Sequence, residues 1–199
     1  MKNVVLLGGA FNPVTIGHIT TAQSVMDAYS KLDELWFLPC YKSVWGKQMI
    51  SGWDRVNMLH LAVRHSEDSR LHTCNFEVRN KLTGHTFEIL KKLFDRYPDS
   101  HYMFYFLIGM DHANIIHTWG HGEELIKTLK FIVVTRAGVE RDPKVTWYTE
   151  KPHVFIDLGP MVKCEVSSTM ARNAIKEEGK TDLVIPEVME YIRKRGFYL

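Results

Sequence analysis

Four uninterrupted apolar runs limit the folds open to this chain: VVLL at 4–7, LWFLP at 35–39, MFYFLI at 103–108 and FIVVT at 131–135. Each is short, rich in β-branched or aromatic residues, and apolar at consecutive rather than alternate positions. A strand that is apolar on both sides must be covered on both sides. That is the condition of a parallel sheet held between helices. The segments between the runs supply the helices. Residues 17–30 carry Ile19, Ala22, Val25, Met26 and Tyr29 on one face, and residues 53–65 carry Val56, Leu59 and Val63 at helical spacing. Further helices are expected at 86–97, where Pro98 ends the pattern, and at 123–129, 168–178 and 186–195. Two more strands are expected, an alternating one at 71–78 and another at 154–158. The pattern predicts one α/β domain over residues 1–199, doubly wound, with a mainly parallel sheet and helices on both faces. In such sheets ligands bind beyond the carboxyl ends of the strands.

Composition narrows the function classes. A chain of 199 residues with 45% hydrophobic and 24% charged residues can bury a core without cross-links. Its formal net charge of +2 gives no global field towards nucleic acid or a membrane surface. Cys40, Cys74 and Cys164 are far apart and form no CxxC, which argues against a disulfide framework and a thiolate metal site. The ten histidines include His117 and His121, four apart with Gly120 between them, but no carboxylate or cysteine is read as completing a ligand set, and no protein-held metal is expected. There is no signal-peptide pattern and no apolar run near the roughly 20 residues of a membrane span, so a cytoplasmic location is expected.

Directly after the first run comes GGAFNPVTIGH, residues 8–18. Gly8 and Gly9 allow a sharp turn and close approach of a ligand to the main chain. The helix that opens near Gly17 and His18 presents unsatisfied N–H groups and a partial positive charge, an arrangement suited to phosphate. The stretch is neither GxGxxG nor a Walker loop. A second cluster, EVSSTMAR at 165–172, has Ser167 or Ser168 as a helix cap. Arg172 follows Thr169 by three residues and Ser168 by four, which puts its guanidinium on the face of both hydroxyls. Hydroxyls, free N–H groups and an arginine fork suit a di- or triphosphate. Either motif alone is an ordinary βα turn or a capped helix.

Together, and in this order, they resemble the nucleotidyltransferase superfamily with [HT]xGH near one end and SSTxxR near the other. Within it the chain resembles the nicotinamide/nicotinate mononucleotide adenylyltransferases. IGMD at 108–111, Trp119, VTRAG at 134–138 and the LVIP…YI closing pattern from Leu183 carry that likeness further. The resemblance implies a Rossmann-like fold. The implied reaction joins ATP to a pyridine mononucleotide, gives the dinucleotide and pyrophosphate, and uses Mg²⁺ bound mainly through the ATP phosphates. Residue chemistry agrees with this, because the attacking phosphate has a second pKa near 6 and needs no general base at pH 7. Catalysis then reduces to alignment and charge neutralisation at the α-phosphate.

By position, the resemblance makes His18, assisted by Thr15 and Arg172, the catalytic group at the ATP phosphates. It places Ser168, Thr169 and Arg172 at the β/γ-phosphates, and Phe11 with the Gly8-Gly9 backbone along the nucleotide. Asp111 matches a ribose-contacting aspartate, Thr86 a pyridine-amide contact and Trp119 a ring that stacks on pyridine. The loop 39–51 matches a basic mononucleotide loop, with Lys42 or Lys47 for the incoming phosphate and Arg55 starting the next helix. Arg136 is a further phosphate candidate. Thr15 stands where many nicotinate-specific members have histidine, and His85 where tyrosine is common. Two alternatives stay open: pantetheine-phosphate adenylyltransferase, which shares TxGH, and a nucleotide-sensing module without turnover. Expected partners are small molecules only, with neither nucleic acid nor membrane; a homo-oligomer is left open.

Overall fold

The computed structural model describes residues 1–43, 46–97, 100–159 and 166–199. Val44 and Trp45 of the basic loop, Pro98, Cys164 and Glu165 lie outside the described residues. Six strands, β1 (Lys2–Gly9), β2 (Glu34–Pro39), β3 (Leu71–Thr73), β4 (Tyr102–Gly109), β5 (Lys130–Val134) and β6 (Val154–Ile156), pair in parallel throughout in the order β3-β2-β1-β4-β5-β6. This is the doubly wound Rossmann-like order, and strand succession reverses between β1 and β4.

The continuous apolar runs split by strand periodicity into two cores. Val5, Leu35, Phe37, Tyr105, Leu107, Ile132 and Val134 face one layer. It contains α1 (Ile16–Ala28), α2 (Gly52–His65), α7 (Ser168–Glu178) and α8 (Pro186–Arg195). Val4, Leu6, Trp36, Leu38, Phe106, Ile108, Phe131 and Val133 face the other, against α4 (Thr86–Arg96), α5 (Met110–Ile115) and α6 (Gly122–Thr128). Each large apolar side chain removed from water contributes about 1.5–3 kcal/mol, so residues on both faces hold the sheet in place.

The structure corrects the expected strand at 71–78. β3 stops at Thr73, and a single turn, α3 (Phe76–Arg79), replaces its second half. The Cys74 N–H bonds the Phe37 carbonyl at 2.8 Å, ending the ladder before Glu77 turns inward. α5 was not expected, being too short to show a helical period. Cys40 and Cys74 are free thiols. Among the described residues, no helix is long and apolar enough to cross a membrane.

Candidate active site

β1 ends at Gly9, and residues 10–15 cross the carboxyl end of the sheet before α1 begins. Side chains from distant parts of the chain bind the carbonyl groups of this loop. Arg55 Nη1 donates to the Ala10 carbonyl at 2.6 Å, Arg172 Nη1 to that of Asn12 at 2.8 Å, and the Ser168 hydroxyl to that of Pro13 at 2.7 Å. Two guanidinium groups and a hydroxyl thus offset the electronegative side of the loop, lowering its repulsion towards an anion.

Thr15 and His18 form a capping box at the start of α1, with histidine in the place usually taken by Glu or Gln. The Thr15 N–H donates to His18 Nδ1 at 3.0 Å, and the Thr15 hydroxyl lies 2.7 Å from the same nitrogen. An amide N–H cannot accept, so Nδ1 is the bare nitrogen and the ring proton sits on Nε2. Burial, and after it the charge of Arg136, lowers the His18 pKa to about 4. The ring is therefore neutral at pH 7, with one N–H donor directed away from its cap. It packs edge-on against Phe11 at 5.1 Å, and Phe11 in turn against Phe37 at 5.7 Å.

Phe11, expected along the nucleotide, has its ring buried beneath the loop. Its side chain is 2% exposed, and its φ of +46° is in the left-handed region unfavourable for a bulky residue. The ring belongs to the core, leaving only its backbone to line a ligand. The packing also explains Gly9, where a Cβ would stand 3.1 Å from the Phe11 ring.

At the start of α7 the Ser167 hydroxyl accepts from the Met170 N–H at 3.2 Å, and the Ala171 N–H bonds the Ser167 carbonyl at 3.1 Å. The N–H groups of Ser168 and Thr169 precede this first helical bonding. Arg172 Nη2 donates to Thr169 Oγ1 at 3.1 Å, so those two share the expected face. Ser168 does not join them by its hydroxyl hydrogen, which is engaged by Pro13. Its backbone N–H and remaining lone pair are what it offers a ligand.

Across the end of β4, Asp111 and Arg136 form an ion pair through Asp111 Oδ2. The other oxygen, Asp111 Oδ1, is buried and has no hydrogen-bond partner among the described residues. A Cβ at Gly109 would stand 2.6 Å from it, so only glycine lets the carboxylate fold over the strand end. Further along, a Cβ at Gly120 would stand 2.6 Å from the His85 ring. That close approach sets the Trp119-Gly120 backbone against the residue that precedes α4, which starts at Thr86. Trp119 also meets the His112 ring edge-on at 5.5 Å.

Residues 6–174 match the family model described as cytidylyltransferase-like. The chain is a nucleotidyltransferase of this family. Its relatives include a protein named "Probable nicotinate-nucleotide adenylyltransferase" in Lactiplantibacillus plantarum, 34% identical over 99% of this chain and 88% of the relative. One of the same name in Bacillus licheniformis is 33% identical over 100% of this chain and 99% of its own. The structure of Plasmodium falciparum nicotinic acid mononucleotide adenylyltransferase complexed with NaAD is alike in fold. Its TM-score is 0.84 at 24% identity, covering 100% of this chain and 98% of that one.

Lys42 and Lys47 of this nucleotidyltransferase are both exposed, and Lys42 lies 5.8 Å from the Tyr41 ring centroid. Nothing in their placement favours one over the other. Arg55, read from sequence only as a helix start, is fully buried. Besides Ala10 it donates to the carbonyls of Cys40 at 2.6 Å, Tyr41 at 3.2 Å and Ile50 at 3.2 Å. It ties the loop after β1 to both ends of the loop after β2. Glu77, 8% exposed, accepts the Tyr41 N–H at 2.8 Å. Burial raises its pKa to about 7, against the pull of that N–H and of Arg55. Neither residue lies in a motif, so no spacing in the sequence could have marked them.

Proposed function

We propose that this nucleotidyltransferase joins ATP to nicotinate mononucleotide, giving deamido-NAD and pyrophosphate, with nicotinamide mononucleotide as a second acceptor. The observation that carries the reading is the bridge made by Arg172, which bonds both Thr169 and the backbone of the loop beside His18. Two motifs 160 positions apart thereby form one anion-binding surface. The names of the bacterial relatives favour the nicotinate acceptor.

The acceptor phosphate is largely dianionic at pH 7 and attacks the α-phosphorus of ATP without a protein base. Its oxygen forms the new P–O bond as the bond to the bridging oxygen breaks and pyrophosphate leaves. Thr169, Arg172 and the N–H groups opening α7 hold the β/γ-phosphates. His18 Nε2–H donates to the α-phosphate, where negative charge is redistributed in the transition state. Its neutrality matters, because a neutral donor holds the α-phosphate in the transition state yet releases the dinucleotide that keeps it. Asp111 Oδ1 accepts a ribose hydroxyl, and Thr86 and Trp119 bind the pyridine ring. Lys42, Lys47 and Arg136 supply positive charge towards the acceptor phosphate.

Among the described residues, no group of three or more His, Cys, Asp or Glu side chains is placed to hold a metal ion. The loop's donor set of N–H, hydroxyl and guanidinium groups fits Mg²⁺ carried by the ATP phosphates rather than by protein ligands. Bound in that way, the ion neutralises phosphate charge.

The test is pyrophosphate release with ATP and Mg²⁺, offering nicotinate mononucleotide, nicotinamide mononucleotide and phosphopantetheine separately. Turnover with a pyridine mononucleotide is expected, faster with the acid. Turnover only with phosphopantetheine, or ATP binding without any turnover, would overturn the reading.

A further inference from the structure

Asn12 is 5% exposed and stands where three parts of the chain meet. Its carbonyl accepts from Arg172, and its side-chain Oδ1 accepts the Ile50 N–H at 3.3 Å. The second group on Oδ1, at 2.6 Å, is the hydroxyl of Tyr198, beyond the end of α8. Because the Ile50 N–H can only donate, it fixes the amide oxygen as acceptor, and the tyrosine hydroxyl must donate to it. Burial raises the Tyr198 pKa, which keeps that proton in place. The backbone bends to reach this point: Tyr198 has a φ of +63°, unfavourable for a large side chain, two residues after the turn at Gly196. Its ring packs on the core layer of α1, α2, α7 and α8. A strained aromatic residue whose hydroxyl ends on a loop amide is placed there for that bond.

We infer that Tyr198 is a positioning residue for adenylyl transfer. Through Asn12 it sets the Arg172 guanidinium against the phosphates and holds Ile50, the far end of the mononucleotide loop, in register with it. It touches no substrate. The inference rests on the reading of Arg172 as a phosphate ligand, and it adds a residue that neither motif contains. Small displacements of an aligned guanidinium are costly in an in-line transfer, because the gain from alignment depends on sub-ångström geometry.

The decisive variant is Tyr198→Phe, which removes the hydroxyl and keeps the ring. Its kcat is expected to fall about tenfold, with the melting temperature lowered by no more than about 4 °C, as for loss of one hydrogen bond. Arg172→Lys is made in both backgrounds. If Tyr198 acts through Arg172, the lysine variant loses less activity in the Tyr198→Phe background than in the wild type. A kcat within twofold of wild type for Tyr198→Phe, or losses that simply multiply in the double variant, would overturn the proposal and leave Tyr198 a packing residue. Asn12→Ala guards against poor folding of the tyrosine variant. It deletes the acceptor instead and is expected to depress kcat in the same way, while unchanged turnover counts against the proposal. Failure of the underlying reading looks different: the wild type itself would release no pyrophosphate with a pyridine mononucleotide.

Discussion

The amide N–H of Thr15 donates to Nδ1 of His18, and this one bond settles where the histidine keeps its proton. With Nδ1 accepting, the ring presents Nε2–H, a neutral donor, over a wide pH range. Substituting His18 by alanine should lower kcat about 10²–10³-fold, the usual loss when one transition-state donor is removed, without altering the circular dichroism spectrum. A variant with near-normal turnover would exclude His18 from the mechanism.

The pH profile follows from the same bond. A histidine with a pKa lowered to about 4 is unprotonated in the native state at pH 5, where a free one is largely charged. His18 should therefore contribute no loss of activity between pH 7 and 5. The fall in kcat/KM over that interval should follow the acceptor phosphate, with an apparent pKa near 6. Nitrogen-detected NMR of the imidazole should find the Nε2–H tautomer persisting at pH 5.

Glu77 gives a stability signature of the opposite kind. Its native pKa is raised to about 7 from an ordinary 4.5, so between those values the native state holds a proton that the unfolded state has released. Native stability from this group is thus full below about pH 4.5 and declines as pH rises towards 7. Glu77→Gln removes the titration while keeping an acceptor for the Tyr41 N–H. The variant's melting temperature, relative to wild type, should rise between pH 5 and pH 8. A pH-independent difference would show that Glu77 does not titrate in this range.

Arg55 should matter for stability before it matters for turnover. Removing it leaves four backbone carbonyls without their donor, at the buried junction of the loops after β1 and β2. Arg55→Met should cost roughly 3–5 kcal/mol in urea denaturation. Arg55→Lys should recover little, because one ammonium cannot span carbonyls that a planar fork reaches from several nitrogens.

Trp119 and Gly120 offer a test that separates the two substrates. Trp119→Ala should raise KM for the mononucleotide at least tenfold and KM for ATP less than twofold. Gly120→Ala drives a methyl group into the His85 ring and should shift the same parameter in the same direction. Equal effects on both substrates would instead assign Trp119 to the core.

Much of this was legible from residue order because local chemistry and packing agree there. α7 and α8 have the expected boundaries, since Ser167 caps one, Pro186 opens the other, and Gly179 and Gly196 end them in the left-handed conformation. The apolar runs gave the strands because both faces of the sheet are covered. Where a short element meets a compatible pattern, the reading failed: alternation through 71–78 continued past Thr73 into a turn that only tertiary pairing imposes. The site shows the same division. The Thr15–His18 and Thr169–Arg172 contacts follow from the spacing within their motifs. Arg55, Glu77, Asn12 and Tyr198 act through backbone groups brought near by folding, and no periodicity records that. For Phe11 and Ser168 the motif gives the neighbourhood and not the direction of the side chain: one ring is buried and one hydroxyl is turned to the Pro13 carbonyl.

The loop after β1 is bonded by Ser168, Arg172 and Tyr198, which follow it by 155, 160 and 186 positions. Closing loops of that length is entropically costly and contributes to slow folding. During synthesis the loop after β1 is made well before the residues that anchor it. The described strands all precede α7, so the parallel sheet can assemble while the loop after β1 still lacks these anchors, and the loop takes its final shape only when α7 and the residues after α8 have docked.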